Sequence, residues 1–213
     1  MRKALIVWGG WPGHTPEACA HTVVAMLQAD GFEVQISDTV RSFGSVDLTA
    51  LSLIVPIITQ STIEKDEVAK LCAAVEGGVG LAGFHGGMCD AFRDSVPYQF
   101  MTGGQWVAHP GNIIDYRVNI TQPGDPVVQG IADFDYKSEQ YYMHVDPSNQ
   151  VLATTTFSGE HAAWTRDVVM PVVWKRMHGK GRVFYSALGH VNAEFEVPEM
   201  KTMLRRGMLW SAK

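Results

Sequence analysis

An α/β fold, a mostly parallel sheet with helices on both faces, is predicted by three observations. Apolar runs alternate with amphipathic stretches through the first hundred residues, and loops marked by glycine or proline separate them. A length of 213 residues with 46% apolar content gives one sizeable core rather than two ordinary ones. One domain spanning 1–213 is therefore expected.

The first strand is read over Lys3 to Trp8, ending at Gly9-Gly10. Thr15 and Pro16-Glu17 then open a helix, with Thr15 as N-cap, proline in the first turn and an acid at the positive end of the dipole. Ala20, Val23, Val24 and Leu27 repeat at helical spacing until Asp30-Gly31. A short strand is expected over Glu33 to Ile36. The apolar run Leu51 to Ile58 reads as a buried strand that Pro56 interrupts and ends, and Glu64 to Val75 as a helix with Val68, Leu71, Cys72 and Val75 on one face. Val79 to Phe84 makes the fourth strand. Beyond it, Ile113 to Ile120, Val151 to Thr156, Pro171 to Met177 and Gly181 to Ser186 read as strands that extend the sheet or lie over it. Val197 to Trp210 closes the chain as an amphipathic helix bearing Met200, Met203, Leu204 and Met208. That methionine-rich stripe is a candidate homodimer interface.

Bulk chemistry removes several function classes. A net charge of −5 leaves no basic footprint for nucleic acid. No apolar stretch approaches the roughly 20 residues that cross a bilayer, and the apolar segment after Met1-Arg2-Lys3 is too short for a signal peptide. Cys19, Cys72 and Cys89 have no paired spacing, so neither a disulfide framework nor a cysteine zinc knot is indicated. A reducing, cytoplasmic setting is expected.

The chemistry concentrates at Gly83-Phe84-His85-Gly86-Gly87. A strand turning sharply into a helix exposes its tip residue, and glycines two before and two after the tip relieve the crowding of such an elbow. An imidazole occupies the tip where a serine or cysteine nucleophile would otherwise stand. Histidine suits proton transfer, carbonyl polarisation or a metal. The helix N-terminus beneath it is expected to keep it neutral. Ligands of parallel sheets bind beyond the carboxyl ends of the strands. Trp11 and His14 after the first strand, His85 after the fourth and His190 near the last are thus expected to share one rim.

Beyond the strand and elbow Val79 to Gly86, the chain carries Met101 to Trp106 with His109-Pro110, and then Pro171 to Trp174 with Gly179 to Tyr185 and Leu188 to His190. In that order these segments resemble the glycine-rich strand and elbow, the central segment and the C-terminal signature of the ThuA-like family of trehalose utilisation proteins, whose fold is similar to class I glutamine amidotransferases. Ser138-Glu139-Gln140-Tyr141 departs from the family's Asp-Glu-x-Tyr by losing the aspartate. The resemblance implies a flavodoxin-like core, a carbohydrate context and an elbow without the amidotransferase cysteine, which excludes glutamine hydrolysis through a thiol.

Candidate residues follow, each with its plainer alternative. His85 and Glu139 are the candidate acid–base pair. Glu139 stands among Tyr136, Tyr141 and Tyr142, which are expected to raise its pKa; otherwise it is a surface glutamate, and His85 a helix cap. Trp11 and Trp106 offer indole faces to a sugar ring or else pack a core. Gly86, His14, Tyr141 and His190 complete the expected substrate contacts. A divalent metal such as zinc is expected on His14, His85 and His190, where it would stabilise an enolate. His109, held extended before Pro110, is read as an anchor for the Gly103-Gly104 loop, and Cys89 as an inert buried thiol. The expected ligand is a sugar, or a disaccharide already oxidised by a partner dehydrogenase. The rival class is a non-catalytic sugar-binding or regulatory protein.

Overall fold

The computed structural model describes residues 1–213. Strands β1 (Arg2–Gly10), β2 (Phe32–Ser37), β3 (Leu53–Thr59) and β4 (Gly80–Phe84) alternate with helices α1 (Pro16–Ala29), α2 (Ser42–Ser45) and α3 (Lys65–Glu76). After the elbow come α4 (Gly86–Cys89), α5 (Val96–Thr102), β5 (Gly104–Ala108), β6 (Ile113–Ile120), β7 (Phe134–Glu139), β8 (Tyr142–Val145) and β9 (Gln150–Thr156). The chain closes with β10 (Val169–His178), β11 (Gly181–Ser186) and α6 (Pro198–Ser211).

Nine strands form one sheet in the order β2-β1-β3-β4-β11-β10-β9-β6-β7, while β5 and β8 pair separately. From β2 through β11 neighbouring strands are parallel, as the alternation predicts, and the later strands extend the sheet antiparallel. α1 and α6 cover one face, and α3 and α5 the other. Adjacent residues of β11 reach both sides: Phe184 packs against Gly207 of α6, whereas Tyr185 sends its hydroxyl to the His85 carbonyl at 2.9 Å.

Three local expectations are corrected. Pro56 does not end its strand; β3 runs on to Thr59. Its ladder to β4 stops at Ile54, so one edge is open beyond that point and a residue lacking N–H is accommodated there. Thr15 holds the N-cap position without capping, its hydroxyl instead accepting the Asn192 N–H at 2.9 Å. Met200, Met203 and Met208 are buried against the sheet, so the methionine stripe belongs to the core and offers no dimer face. Glu64 and Glu67 form a capping box that starts α3, a device the sequence reading overlooked. No helix is long and apolar enough to cross a membrane.

Candidate functional site

The elbow is built as its glycines require. A Cβ on Gly83 would lie 2.5 Å from the Met88 Cβ, and one on Gly87 would lie 3.0 Å from the Ile57 Cα. Between them His85 takes φ 48 and ψ −143, backbone space that side-chain-bearing residues rarely enter. Its N–H donates to the Ser186 carbonyl at 2.7 Å, tying the tip to the end of β11.

His85 is nevertheless not held out to solvent: it is 1% exposed, a correction to the open elbow expected. Tyr141 stacks on it with ring centroids 4.1 Å apart, and His14 and His190 meet its edges. Burial accordingly pushes its pKa down to about 4. The neutral form expected is correct; burial supplies the cause, since the helix below is a single turn.

Three strand ends deliver the imidazoles to one point. The loop after β1 brings His14, whose Nδ1 is hydrogen-bonded to Thr59 Oγ1 at 2.9 Å. The loop after β11 brings His190, whose backbone N–H, with that of Gly189, donates to the Glu194 carboxylate. The end of β7 brings Glu139. One donor atom from each of His14, His85, Glu139 and His190 lies within 4.8 Å of the others. His85 Nε2 stands 3.1 Å from Glu139 Oε2 and 3.2 Å from His190 Nδ1, and His190 Nδ1 is 3.4 Å from Glu139 Oε2. His14 Nε2 is 3.9 Å from the same oxygen.

These separations bear on a metal. Four donors about 2.0–2.1 Å from a tetrahedral ion are roughly 3.3–3.4 Å apart; the separations among His85, His190 and Glu139 are close to that, while His14 Nε2 stands farther out, 3.9 Å from Glu139 Oε2. Proton accounting requires a positive charge at the same point. The Ala187 carbonyl, 2.9 Å from His85 Nδ1, can only accept, so that nitrogen carries the proton and Nε2 of the neutral ring is a lone pair. A lone pair facing a carboxylate needs a cation between them, supplied either by a protonated His190 or by a metal. The hydrogen bonds that His14 and His85 make through Nδ1 are those that commonly orient ligating imidazoles. The donor set fits a divalent ion such as zinc.

Charge follows the geometry. Burial pushes the Glu139 carboxyl up, but the facing imidazoles of His14, His190 and His85 outweigh it and hold the group well below the usual carboxylate range. The elevation expected from the tyrosines is therefore corrected; Tyr142 turns away to Phe157. Burial disfavours the charged form of His190, yet the adjoining Glu139 raises its pKa overall.

Above this cluster opens a cup of about 390 Å³ lined by Trp11, His14, Thr59, Gln60, Asp90, Trp106, His109, Asn112, Glu139 and Tyr141. The structure thus gathers Trp11, Trp106, Tyr141, Glu139 and His14 around one space, with His85, Gly86 and His190 packed at its base. Gly86 is needed for closeness, since a Cβ there would lie 2.7 Å from the His14 ring. His109 is no anchor for Gly103-Gly104. Its Nε2 stands 3.6 Å from Glu139 Oε1, and its ring stacks near Tyr141. A larger cavity of about 700 Å³ between α3 and α5 brings no such donors together. Sequence reasoning passed over Gln60, Asp90 and Asn112, whose only signal is a polar residue in a loop beyond a strand or elbow.

Comparison with known proteins agrees with this architecture. ThuA-like proteins from Bacteroides uniformis ATCC 8492 and Parabacteroides merdae ATCC 43184 superpose with TM-scores of 0.80 and 0.79. Each is 19% identical; the matches cover 99% and 100% of this chain and 91% and 90% of theirs. A β-galactosidase from Bacillus circulans sp. alkalophilus carries the same fold over 30% of its length, with a TM-score of 0.63 at 12% identity and 99% of this chain covered. No curated protein matches the sequence. The family model described as ThuA, trehalose utilisation, matches residues 3–211, and the chain belongs to that family.

Proposed function

We propose that the chain is an enzyme acting on a sugar or oxidised sugar derivative, with His14, His85, His190 and Glu139 holding a divalent metal at the base of the cup. The observation that carries this reading is the convergence of those four donors within 4.8 Å below the indoles of Trp11 and Trp106. When bound, such an ion supplies Lewis acidity toward a substrate oxygen.

His85 and Glu139 were the sequence's acid–base candidates, but their facing atoms are committed to the cluster. His109 is better placed for proton transfer: it lines the cup, its Nδ1 has no protein partner, and Glu139 Oε1 stands 3.6 Å from its Nε2 and orients the ring. In a glycoside bearing a ring ketone, the proton on the carbon between the carbonyl and the anomeric centre is acidified. His109 takes that proton, the C–H electron pair forms the new double bond, and the glycosidic C–O bond breaks. The departing oxygen then receives the proton from His109. Such a substrate presupposes a sugar dehydrogenase acting before this protein.

Metal-loaded protein incubated with trehalose carrying one ring ketone is expected to release free hexose, and His109→Gln to abolish release while retaining metal by elemental analysis. Binding of the ketosugar without product would favour the non-catalytic sugar-binding alternative. Stoichiometric metal missing from protein purified without chelator, with turnover unaffected by chelation, would remove the metal from the reading.

A further inference from the structure

Asp90 lines the cup, is 4% exposed, and has one protein partner for its carboxylate: Arg93 Nη1, which donates to Oδ1 at 2.6 Å. Its second oxygen has none. The same guanidinium donates to the Trp106 carbonyl at 3.2 Å and lies 5.3 Å from the indole centre, which fixes carboxylate and aromatic platform relative to each other. Gln60 is bolted to Asp90 through its backbone, its N–H donating to the Asp90 carbonyl at 2.8 Å. Gln60 and Asn112 also line the cup, and neither side-chain amide has a hydrogen-bond partner in the protein. Both adopt positive φ, 53 and 57, where glycine would be unstrained.

We propose that Gln60, Asp90 and Asn112 form a hydroxyl-reading subsite that makes the cup selective for a neutral polyol ring with adjacent free hydroxyls. This rests on the reading that the cup takes a sugar. A carboxylate accepts hydroxyl donors, while each amide both donates and accepts, so the three together match neighbouring hydroxyls of a sugar. The indoles of Trp106 and Trp11 supply apolar faces for the ring's C–H side. The unpaired Asp90 oxygen repels an anionic group set against it, so a phosphate or carboxylate at this end of the cup, away from the metal, is disfavoured. The strain at Gln60 and Asn112 is retained because a glycine would bring no amide to the ligand.

The test uses the metal-loaded full chain and its indole fluorescence, titrated with trehalose, trehalose bearing one ring ketone, and trehalose 6-phosphate. Wild type is expected to bind one or both neutral sugars at least tenfold more tightly than the phosphate. Asp90→Asn should weaken neutral binding about 10- to 100-fold and narrow the gap to the phosphate. Gln60→Gly and Asn112→Gly should each weaken it about 2- to 10-fold while leaving Tm unchanged or raised. The glycine variants carry the test if Asp90→Asn does not fold. Neutral-sugar affinities unchanged in these variants, or a preference for the phosphate in wild type, would overturn the subsite and leave the sugar reading standing. Failure of wild type to bind either neutral sugar would overturn both.

Discussion

Lowering the pH from 7 to 5 is predicted to remove about 2 kcal/mol of stability from the metal-free protein through His85 alone. Its pKa is about 4 in the folded chain against 6.5 for an ordinary histidine, with burial the main cause. The folded value is the lower, so between about 4 and 6.5 the unfolded chain binds more protons. The stabilisation is complete above that window and is lost as pH falls through it. At pH 5 an exposed imidazole is almost fully protonated and one of pKa about 4 is about one-tenth protonated; integrating the difference down from pH 7 gives the figure above. For a chain of this length that is a drop in Tm of about 4–8 °C. Glu139, with its pKa depressed, acts in the same direction but only as pH falls below the ordinary carboxylate range. His190 opposes it: its raised pKa contributes stability at low pH that is lost as pH rises through its folded value. The assay is therefore a comparison, thermal melts of chelator-dialysed wild type and His85→Gln at pH 7, 6 and 5. The wild type should lose more than the variant by the stated amount. Parallel slopes for the two proteins would refute the reasoning, because the buried neutral ring could not then be their source.

Two further outcomes follow from the surroundings of the cluster. Glu194 accepts from the Tyr136 hydroxyl and from the N–H groups of Gly189 and His190, so it orients the loop that presents His190; Glu194→Ala is expected to weaken zinc binding about 10- to 100-fold in a competition titration, with turnover following metal occupancy. Gly83→Ala would force a Cβ to 2.5 Å from that of Met88; overpacking at the elbow should cost about 1–3 kcal/mol in denaturant unfolding, and an unchanged midpoint would contradict the close approach.

Much of the parallel half was legible because apolar runs too short for helices alternate there with amphipathic stretches, and glycines mark where β1 and β4 stop. The antiparallel extension was harder to read. In β7, Phe134, Tyr136 and Ser138 are buried while Asp135 and Lys137 are exposed, so a period of two was present in the sequence, diluted by polar residues on the inner face. Tyr142–Val145 is four residues long and Gly104–Ala108 begins with glycine, so neither carries a clear periodic signal. His14, His85 and His190 were found because each follows a strand of the parallel set, where one general rule locates ligands. The charge environment of Glu139 was misjudged because its neighbours in sequence are tyrosines, whereas the groups that face its carboxylate are imidazoles brought in by other loops. His109 was misassigned for the same reason.

Backbone strain ties the base of the cup to its rim. Five residues other than glycine have positive φ, and four of them, Thr15 beside His14, Gln60, His85 and Asn112, stand at or next to the cup. Such conformations cost about 1–3 kcal/mol each, a large part of the net stability of a domain. Nothing in the core requires that outlay: Gln60 and Asn112 are exposed at the rim, and a glycine at any of the four would remove it. What the strained positions share is the placing of side chains. The His85 backbone aims a ring at Glu139 and His190, Thr15 follows the turn that delivers His14, and Gln60 and Asn112 hold unpartnered amides over the same space. The fold thus gives up stability in the loops around the cup and recovers it in a core buried on both sides of the sheet, as expected where geometry at a site is selected ahead of local comfort.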